Sequence, residues 1–539
     1  MTLGTSESLD RLPTTVGGGA VRCLKSLGVD IAFGIPGVHN QAFYNALIDL
    51  DELRSVITRH EQGAAFMADG FARVSGKVAA CLLITGPGLT NAATAIAEAY
   101  SDSVPMICIV TSYEASPHVY GRRLHDLKDQ AAVLEGLFKR SIRVASAPEL
   151  SAAVELAFLE ALSGRPGPVA VEVPIELLDL EVHSATRSSE FHGLTAAGEA
   201  RALGGPRFDH RLAEGVFEGA KPVVVIGGGC VGASSEVVAL IERLGAVAIC
   251  TASGKGVVPD DHPLALGAWL KSDVAREIVA GADPLILLGT EWSTTDLGEK
   301  PFELPSRVTR VDIDPFPHPI VGPSIESDVG DVVRAWLAEL DRAAPSRPWP
   351  DVEGLRLRAK SEPRRWAGSA VEYIEVLRDT VDRDAIVVND MNTLSYAAVE
   401  RFDSYRPRHF LFPRGYGTLG YALPAAIGAK LAAPDTQVIA IAGDGGFLFT
   451  SEELITAVRL KQCLPVVIWN NESFGAIRAT RTAAYGRSSG DELINPDFVA
   501  FAQAFGATGT RVSSPQAFRE ALREALQRQG PTVIDVMAV

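Results

Sequence analysis

Several features that mark particular classes of protein are scarce in this sequence. The chain has 539 residues but only six cysteines, and no two of them form a CxxC pair. The cysteines stand at positions 23, 81, 108, 230, 250 and 463, and most of them lie in apolar runs. This distribution disfavours a disulfide framework or a zinc site, and it favours buried, reduced thiols in a cytoplasmic protein.

Long apolar runs and an excess of positive charge are also missing. No segment approaches the roughly 18 uncharged apolar residues of a membrane-spanning helix, and the opening MTLGTSESLDRLPTT lacks the pattern of a secretory leader. The formal net charge of −16 disfavours nucleic acid and anionic membrane surfaces as partners. We therefore expect a cytoplasmic enzyme or binding protein that acts on a small molecule.

What the chain does contain is the pattern of parallel α/β units. Apolar, strand-like runs alternate with helical patterns along most of its length, and the length itself predicts two to four domains. Two stretches interrupt the alternation, at about 183–210 and 343–366, and both have the composition of inter-domain connections. We predict three doubly wound, mostly parallel-sheet α/β domains over residues 1–182, 205–342 and 367–539.

The most informative segment runs from Gln437 to Gly475. Val438 to Ala442 and Pro465 to Trp469 are predicted strands, and Thr450 to Glu453 matches a capping box that opens a helix to about Leu460. The carboxyl ends of parallel strands meet at one edge of a sheet, so Asp444 and Asn471 should lie side by side. A carboxylate and an amide oxygen there suit Mg²⁺ held together with a diphosphate. The alternative is an ordinary strand-turn-helix with an Asp in the turn.

These motifs resemble those of a known family. GDGG followed by NNESFG is similar to the thiamine-diphosphate motif of the family that contains acetolactate synthase, pyruvate oxidase and benzoylformate decarboxylase. The resemblance extends over almost the whole chain and makes the three domains pyrimidine-binding, central Rossmann-like and diphosphate-binding. It implies that Asp444, Asn471 and the carbonyl of Ser473 bind Mg²⁺, in a diphosphate site formed with Gly443, Gly445, Gly446, Phe474 and Gly475.

The N-terminal segments FGIPGVHN, RHEQGAAFMADG and ITGPGLTNAA resemble the pyrimidine-binding domain of that family. Glu61 opens a predicted helix after a short strand, where a carboxylate is favoured. The resemblance assigns it the hydrogen bond to the aminopyrimidine that activates the cofactor; the alternative is a surface cap. The segment from Arg414 to Pro424 resembles the loop that bends the cofactor. It implies an apolar wedge at Leu419 and a carbonyl acceptor at Gly417. Because the glutamate and metal site come from different subunits in the family, we expect at least a homodimer and often a homotetramer.

The middle of the chain leaves a different class open. PVVVIGGGCVG carries GxGxxG at Gly227, Gly229 and Gly232, which alone favours a dinucleotide site. No carboxylate follows the next predicted strand, Ala246 to Cys250, so a nicotinamide is weakly supported. FAD remains open, because some members of the family bind it.

Three polar residues are candidates for the substrate side of the site: His39, His125 and Gln130. Each has the alternative of an ordinary loop residue. GIPGVH, GRRLHDLKDQ and LGTEWSTTD resemble the subgroup of 5-guanidino-2-oxopentanoate decarboxylase. This implies non-oxidative decarboxylation of a 2-oxo acid through a thiazolium ylid and an enamine.

Three alternatives remain: an acetolactate-synthase-type carboligase, a flavin- or nicotinamide-dependent oxidoreductase, and a non-catalytic homologue. The carboligase is disfavoured because the chain stops at PTVIDVMAV, without the C-terminal tail usual in the synthases. The non-catalytic role is disfavoured because a scaffold needs none of Glu61, Asp444 and Asn471.

Overall fold

A computed structural model describes residues 14–113, 123–182, 219–298, 300–314, 324–340, 349, 351–362 and 367–538. The chain divides into two compact units, Met1–Leu203 and Gly204–Val539. They contain three six-stranded sheets, one in the first unit and two in the second, and a short two-stranded pair. Every neighbouring pair in the six-stranded sheets is parallel, as the alternating pattern predicted.

The first unit is built on the strand order β3-β2-β4-β5-β7-β6. Its strands are β2 (Ile31–Gly34), β3 (Arg54–Ile57), β4 (Ala79–Leu83), β5 (Met106–Ser112), β6 (Arg140–Arg143) and β7 (Pro168–Pro174), and β1 (Thr14–Thr15) pairs antiparallel with β8 (Glu181–Val182). Its helices are Val16–Ser26, Gln41–Ile48, Glu61–Ser75, Pro87–Ser101, Gln130–Leu137, Glu149–Leu162 and Ile175–Leu178.

The central sheet has the order β11-β10-β9-β12-β13-β14. Its strands are β9 (Val223–Ile226), β10 (Val247–Cys250), β11 (Ala265–Gly267), β12 (Leu285–Leu288), β13 (Val308–Asp312) and β14 (Ser324–Glu326). A 3₁₀ helix (Gly228–Ala233) and α-helices Ser234–Leu244, Asp273–Ala280, Thr294–Leu297, Val329–Leu340 and Val352–Ser361 accompany it. Alternate residues of β9 enter two separate cores, Val224 on one face and Val225 on the other, so this sheet is covered on both sides.

The last sheet has the order β16-β15-β17-β18-β20-β19. Its strands are β15 (Ile386–Asn389), β16 (Phe410–Leu411), β17 (Val438–Gly443), β18 (Leu464–Asn470), β19 (Thr508–Val512) and β20 (Pro531–Met537). Its helices are Ala370–Thr380, Thr393–Arg401, Ala422–Ala432, Asp444–Phe447, Leu454–Arg459, Gly475–Tyr485, Phe498–Ala504 and Pro515–Ala525, with a 3₁₀ turn at Ser451–Glu453. The three sheets confirm the predicted α/β class.

One predicted connection is more ordered than its composition suggested. The stretch 183–210 lies outside the described residues. Within 343–366, however, Val352–Ser361 is a helix, capped by the Asp351 side chain, which accepts a hydrogen bond from the backbone N–H of Gly354. Val352 and Ala359 reach the central core because apolar residues at this spacing share one helix face. The domain boundaries themselves stay predictions.

The six cysteines are free; five are buried and Cys463 is half-buried. Among the described residues, no helix combines the length and apolar character needed to cross a bilayer.

Candidate active site

Asp444 and Asn470 stand at the ends of neighbouring strands. β17 and β18 pair in parallel, with Gly443 beside Trp469, so the residues that follow emerge at the same sheet edge. The Asp444 carboxylate is buried and accepts a hydrogen bond from the Asn495 side-chain amide at 2.8 Å, with backbone N–H groups of both loops beside it. Burial raises the pKa of Asp444, and the Asn495 side chain, followed by the nearby backbone N–H groups, opposes the rise by favouring the ionised form.

The loop after β18 turns sharply around Asn471. The Asn471 side-chain oxygen accepts from the backbone N–H of Ser473 at 3.3 Å, and Glu472 between them has a left-handed φ of 52°. A Cβ on Gly475 would come within 2.4 Å of the Asn471 side-chain nitrogen, so a larger residue there would displace the Asn471 side chain. A Cβ on Gly445 would meet the Phe474 ring at 2.7 Å. The two motif loops, which carry Asp444 and Asn471, therefore pack directly on each other at one edge of the sheet.

The loop that contains Gly417 and Leu419 is anchored by Asp390, a residue the sequence analysis did not single out. The Asp390 carboxylate accepts from the backbone N–H groups of Met391 at 2.7 Å and Gly420 at 2.9 Å. Burial raises the pKa of Asp390 to about 6 despite these bonds. The sequence pattern that could have identified Asp390 is a polar residue directly after a buried strand. The same pattern identified Asp444.

The predicted capping box at Thr450 to Glu453 is wrong. The Thr450 hydroxyl donates to the Gly420 carbonyl at 2.7 Å and makes no cap hydrogen bond. The chain enters the helix Leu454–Arg459 through a 3₁₀ turn, and Glu453 accepts instead from the Thr456 hydroxyl at 2.6 Å. The buried carbonyl of a neighbouring loop needs a donor, and it competes successfully for the threonine.

In the first unit, Glu61 is the first residue of the helix Glu61–Ser75, as predicted from its pattern. The His60 side chain caps this helix by accepting from the backbone N–H of Gln62 at 3.1 Å. Glu61 itself is buried, and its carboxylate accepts from the Asn91 side-chain amide at 2.9 Å. The helix N-terminus stabilises a carboxylate at this position. The structure thus places a buried, partly paired carboxyl group at the carboxyl end of β3.

His39 and His125 lie close together at the carboxyl edge of the first sheet. Their rings are 5.1 Å apart, and the His39 Nε2 is 3.1 Å from the Tyr113 hydroxyl, which donates to the Leu124 carbonyl at 2.9 Å. Burial lowers the pKa of His39; proximity to His125 lowers it further and Glu176 partly offsets both. The lowered pKa favours the neutral form of the His39 ring at pH 7.

Gln130 is held differently from the two histidines. Its side chain accepts from the backbone N–H of Gly86 at 3.2 Å and donates to the Thr111 carbonyl at 3.0 Å and to Glu172 at 3.2 Å. These bonds join the turn after β4 to the ends of β5 and β7. Gln130 thus fixes the shape of the edge on which the histidines stand.

The glycine motif of the central sheet has a packing explanation. A Cβ on Gly227 would come within 2.1 Å of the Gly289 carbonyl oxygen, and one on Gly229 within 2.8 Å of the Gly289 Cα. The turns after β9 and β12 therefore touch backbone to backbone, and only glycine permits the approach. Gly227 and Gly229 are accounted for without a dinucleotide.

Comparison with protein-family models divides the chain in the same order. Residues 14–133 match the N-terminal TPP binding domain of thiamine pyrophosphate enzymes, residues 210–334 their central domain and residues 391–536 their C-terminal TPP binding domain. Each match covers most of the strands of one six-stranded sheet. The GDGG and NNESFG motifs lie in the range that matches the C-terminal TPP binding domain.

Curated relatives match over nearly the full length. The chain is 36% identical over 529 residues to a probable 2-ketoarginine decarboxylase of Pseudomonas aeruginosa, covering 97% of this chain and 94% of the relative. It is 31% identical over 550 residues to a probable acetolactate synthase large subunit of Methanocaldococcus jannaschii, covering 96% and 90%. It is also 31% identical over 533 residues to the acetolactate synthase isozyme 1 large subunit of Escherichia coli, covering 96% and 92%.

Proposed function

The chain belongs to the thiamine pyrophosphate enzyme family, and from that premise we propose that it decarboxylates 5-guanidino-2-oxopentanoate or a close analogue without oxidation. The observation that carries the substrate assignment is the 36% identity to the probable 2-ketoarginine decarboxylase, sustained over 97% of this chain. The thiamine cofactor, when bound, accepts the electron pair left by departing CO₂. The protein supplies binding, orientation and proton positions.

The metal and diphosphate are assigned to the edge formed by β17 and β18. Asp444, the Asn471 side-chain oxygen and the Ser473 carbonyl would hold Mg²⁺, because hard oxygen donors with room left for phosphate oxygens suit this ion. The buried Asp444 carboxylate beside several backbone N–H groups fits such a cation and anion together. Gly443, Gly445, Gly446, Phe474 and Gly475 would surround the diphosphate.

Glu61 is assigned to the cofactor's aminopyrimidine. A buried carboxyl group can share a proton with a ring nitrogen, and burial strengthens the hydrogen bond because water is excluded. Leu419 is assigned as the apolar support under the bent cofactor, and the Gly417 carbonyl as acceptor for its amino group. Leu419 lies next to Gly446, since a Cβ placed on that glycine would be 3.6 Å from the Leu419 Cδ2, and this supports placing both at one site.

The two histidines are assigned to the substrate side. Neutral His39, in contact with Tyr113 and His125, would accept or return a proton near the reacting carbonyl. Gln130 would act through its hydrogen bonds to the turn after β4 and to the ends of β5 and β7. All three assignments follow from their place at the carboxyl edge of the first sheet, where parallel α/β proteins bind ligands.

A homodimer, at least, is the proposed assembly, and a homotetramer fits equally well. Large apolar side chains near the diphosphate loops are exposed in the single chain, which is typical of an interface. They are Tyr416, Phe449, Ile477, Tyr485 and Ile494. The free thiols support a cytoplasmic location, where the environment is reducing.

A carboligase is the second candidate, because the acetolactate synthases also match 96% of the chain. The test is CO₂ release from 5-guanidino-2-oxopentanoate, pyruvate and other 2-oxo acids, with and without thiamine diphosphate and Mg²⁺, followed by product mass. We expect release to require both cofactors and to be fastest with the guanidino acid, yielding an aldehyde. A 2-hydroxy-3-oxo acid from pyruvate would identify a carboligase, and a flavin absorbance band in the purified protein would add FAD.

A further inference from the structure

A short segment distant in sequence lies against the loop that carries Asn471. This clamp segment, residues 491–495, pairs antiparallel with residues 472–474. The backbone N–H of Phe474 donates to the Asp491 carbonyl at 2.8 Å, and that of Leu493 donates to the Glu472 carbonyl at 2.8 Å. The pairing holds the Glu472 turn, whose left-handed φ is uncommon for a residue with a side chain.

The last residue of the clamp segment reaches the Asp444 carboxylate. The Asn495 side-chain nitrogen donates to Asp444 Oδ2 at 2.8 Å and to the Asn470 side-chain oxygen at 3.1 Å. Neither strand end is near Asn495 in the sequence. The amide thus bridges the ends of β17 and β18 through side chains alone.

The direction of this bridge is determined by its neighbours. The Asn470 side-chain nitrogen donates to Asp535 at 2.9 Å, and Arg511 also donates to the buried Asp535 at 2.8 Å. The Asn470 oxygen therefore faces Asn495, which must present its NH₂ group to both acceptors. A carboxylate accepts but cannot donate, so the same orientation satisfies Asp444.

We propose that Asn495 is a positioning residue for the cation: it holds Asp444 Oδ2 so that the other carboxylate oxygen is aimed at the metal. This inference rests on the proposed function, which makes Asp444 a Mg²⁺ ligand. Residues that hydrogen-bond a ligating carboxylate fix its rotamer and charge, and they commonly influence metal affinity 10- to 100-fold.

The clamp segment has supports that do not involve the Asn495 side chain. Asp491 pairs with Arg478 and accepts from the Ser488 hydroxyl at 2.6 Å. Leu493 lies against the site of Gly445, 3.0 Å from a Cβ placed there. Removing the Asn495 amide therefore leaves the backbone pairing in place and removes only the side-chain hydrogen bonds to Asp444 and Asn470.

The test compares Mn²⁺ binding by wild type, Asn495→Leu and Asn495→Ser. Binding is measured by electron paramagnetic resonance in the presence of thiamine diphosphate. We expect the leucine variant to bind Mn²⁺ about 10- to 100-fold more weakly. Serine, which keeps a short donor, should fall between it and wild type. Turnover of the leucine variant should recover at saturating metal, and its circular dichroism spectrum without cofactors should match that of wild type. Glu492→Gln is the matched control, because Glu492 is in the same segment with its side chain in solvent.

Equal Mn²⁺ affinity in wild type and both Asn495 variants would overturn the inference, as would a turnover loss that saturating metal does not restore. If the leucine variant fails to fold, the serine variant carries the same comparison. Failure of wild type itself to bind Mn²⁺ with thiamine diphosphate would instead count against the proposed function.

Discussion

At the scale of single residues, Glu61 is the group on which the proposed chemistry depends most. Glu61→Gln keeps the shape of the side chain and an oxygen that can accept from Asn91. The glutamine amide, unlike the Glu61 carboxyl group, cannot share a proton with the ring nitrogen of the cofactor. We expect turnover to fall by at least about 10²-fold, with thiamine diphosphate affinity nearly unchanged. Proton–deuterium exchange at the cofactor's C2, followed by NMR, measures the effect directly.

Glu149→Gln is the matched control for that substitution. Glu149 also lies in the first turn of a helix of the first unit, Glu149–Leu162, but is exposed. It should leave C2 exchange at the wild-type rate. Fast exchange in the Glu61 variant would show that another group activates the cofactor.

Residues adjacent to strand ends were the ones that sequence reasoning could place. Asp444 follows β17 directly, Asn471 follows β18, and Glu61 opens the helix after β3. Asn495 could not be found this way, because its contact with Asp444 depends on how a distant segment folds back. The capping box predicted at Thr450 was wrong for a related reason. The Gly420 carbonyl that accepts the Thr450 hydroxyl is 30 positions away in the sequence.

At the scale of elements, the loop between β10 and β11 joins the central sheet to the last one. Lys255 and Asp260 form an ion pair at 3.0 Å with side chains only 1% and 4% exposed. Asp260 also accepts from the backbone N–H of Ser404 at 2.8 Å, and the Lys255 ammonium lies 5.3 Å from the centre of the Phe410 ring. A buried charge network therefore connects the loop to the segment that leads into β16.

Lys255→Met should destabilise the second unit by about 3–5 kcal/mol, because it leaves the Asp260 carboxylate buried without its cation. Thermal unfolding of the cofactor-free protein measures this. Lys25→Met breaks a half-exposed pair with Asp30 and should cost at most about 1 kcal/mol. Similar losses in the two variants would contradict the role given to the buried pair.

Helices and strands of the sheets were predictable from apolar periodicity, since buried parallel strands are continuous apolar runs. The helix Val352–Ser361 was not, because proline and charge around it have the composition of a linker. Only its few apolar residues, Val352 and Ala359 among them, indicate packing, and they are spaced too sparsely for the pattern to stand out.

At the scale of the whole molecule, the three-sheet α/β architecture followed from the sequence, whereas the strand order within each sheet did not. Order depends on which crossovers form, and apolar runs alone do not distinguish one neighbour from another. The pairing of residues into one active site is likewise not given by apolar runs alone. Glu61 belongs to the first unit and Asp444 to the second, and the family resemblance implies that one active site takes them from two copies of the chain.

The most direct test of that account co-expresses Glu61→Gln and Asp444→Ala chains with different tags and measures CO₂ release by the doubly tagged oligomer. Each variant alone should be inactive. If sites are shared, one site of the mixed dimer is intact, and activity should return to roughly half of wild type. Wild type paired with the double variant should then be inactive. An inactive mixture of single variants, with half activity in the wild-type pairing, would contradict the shared site.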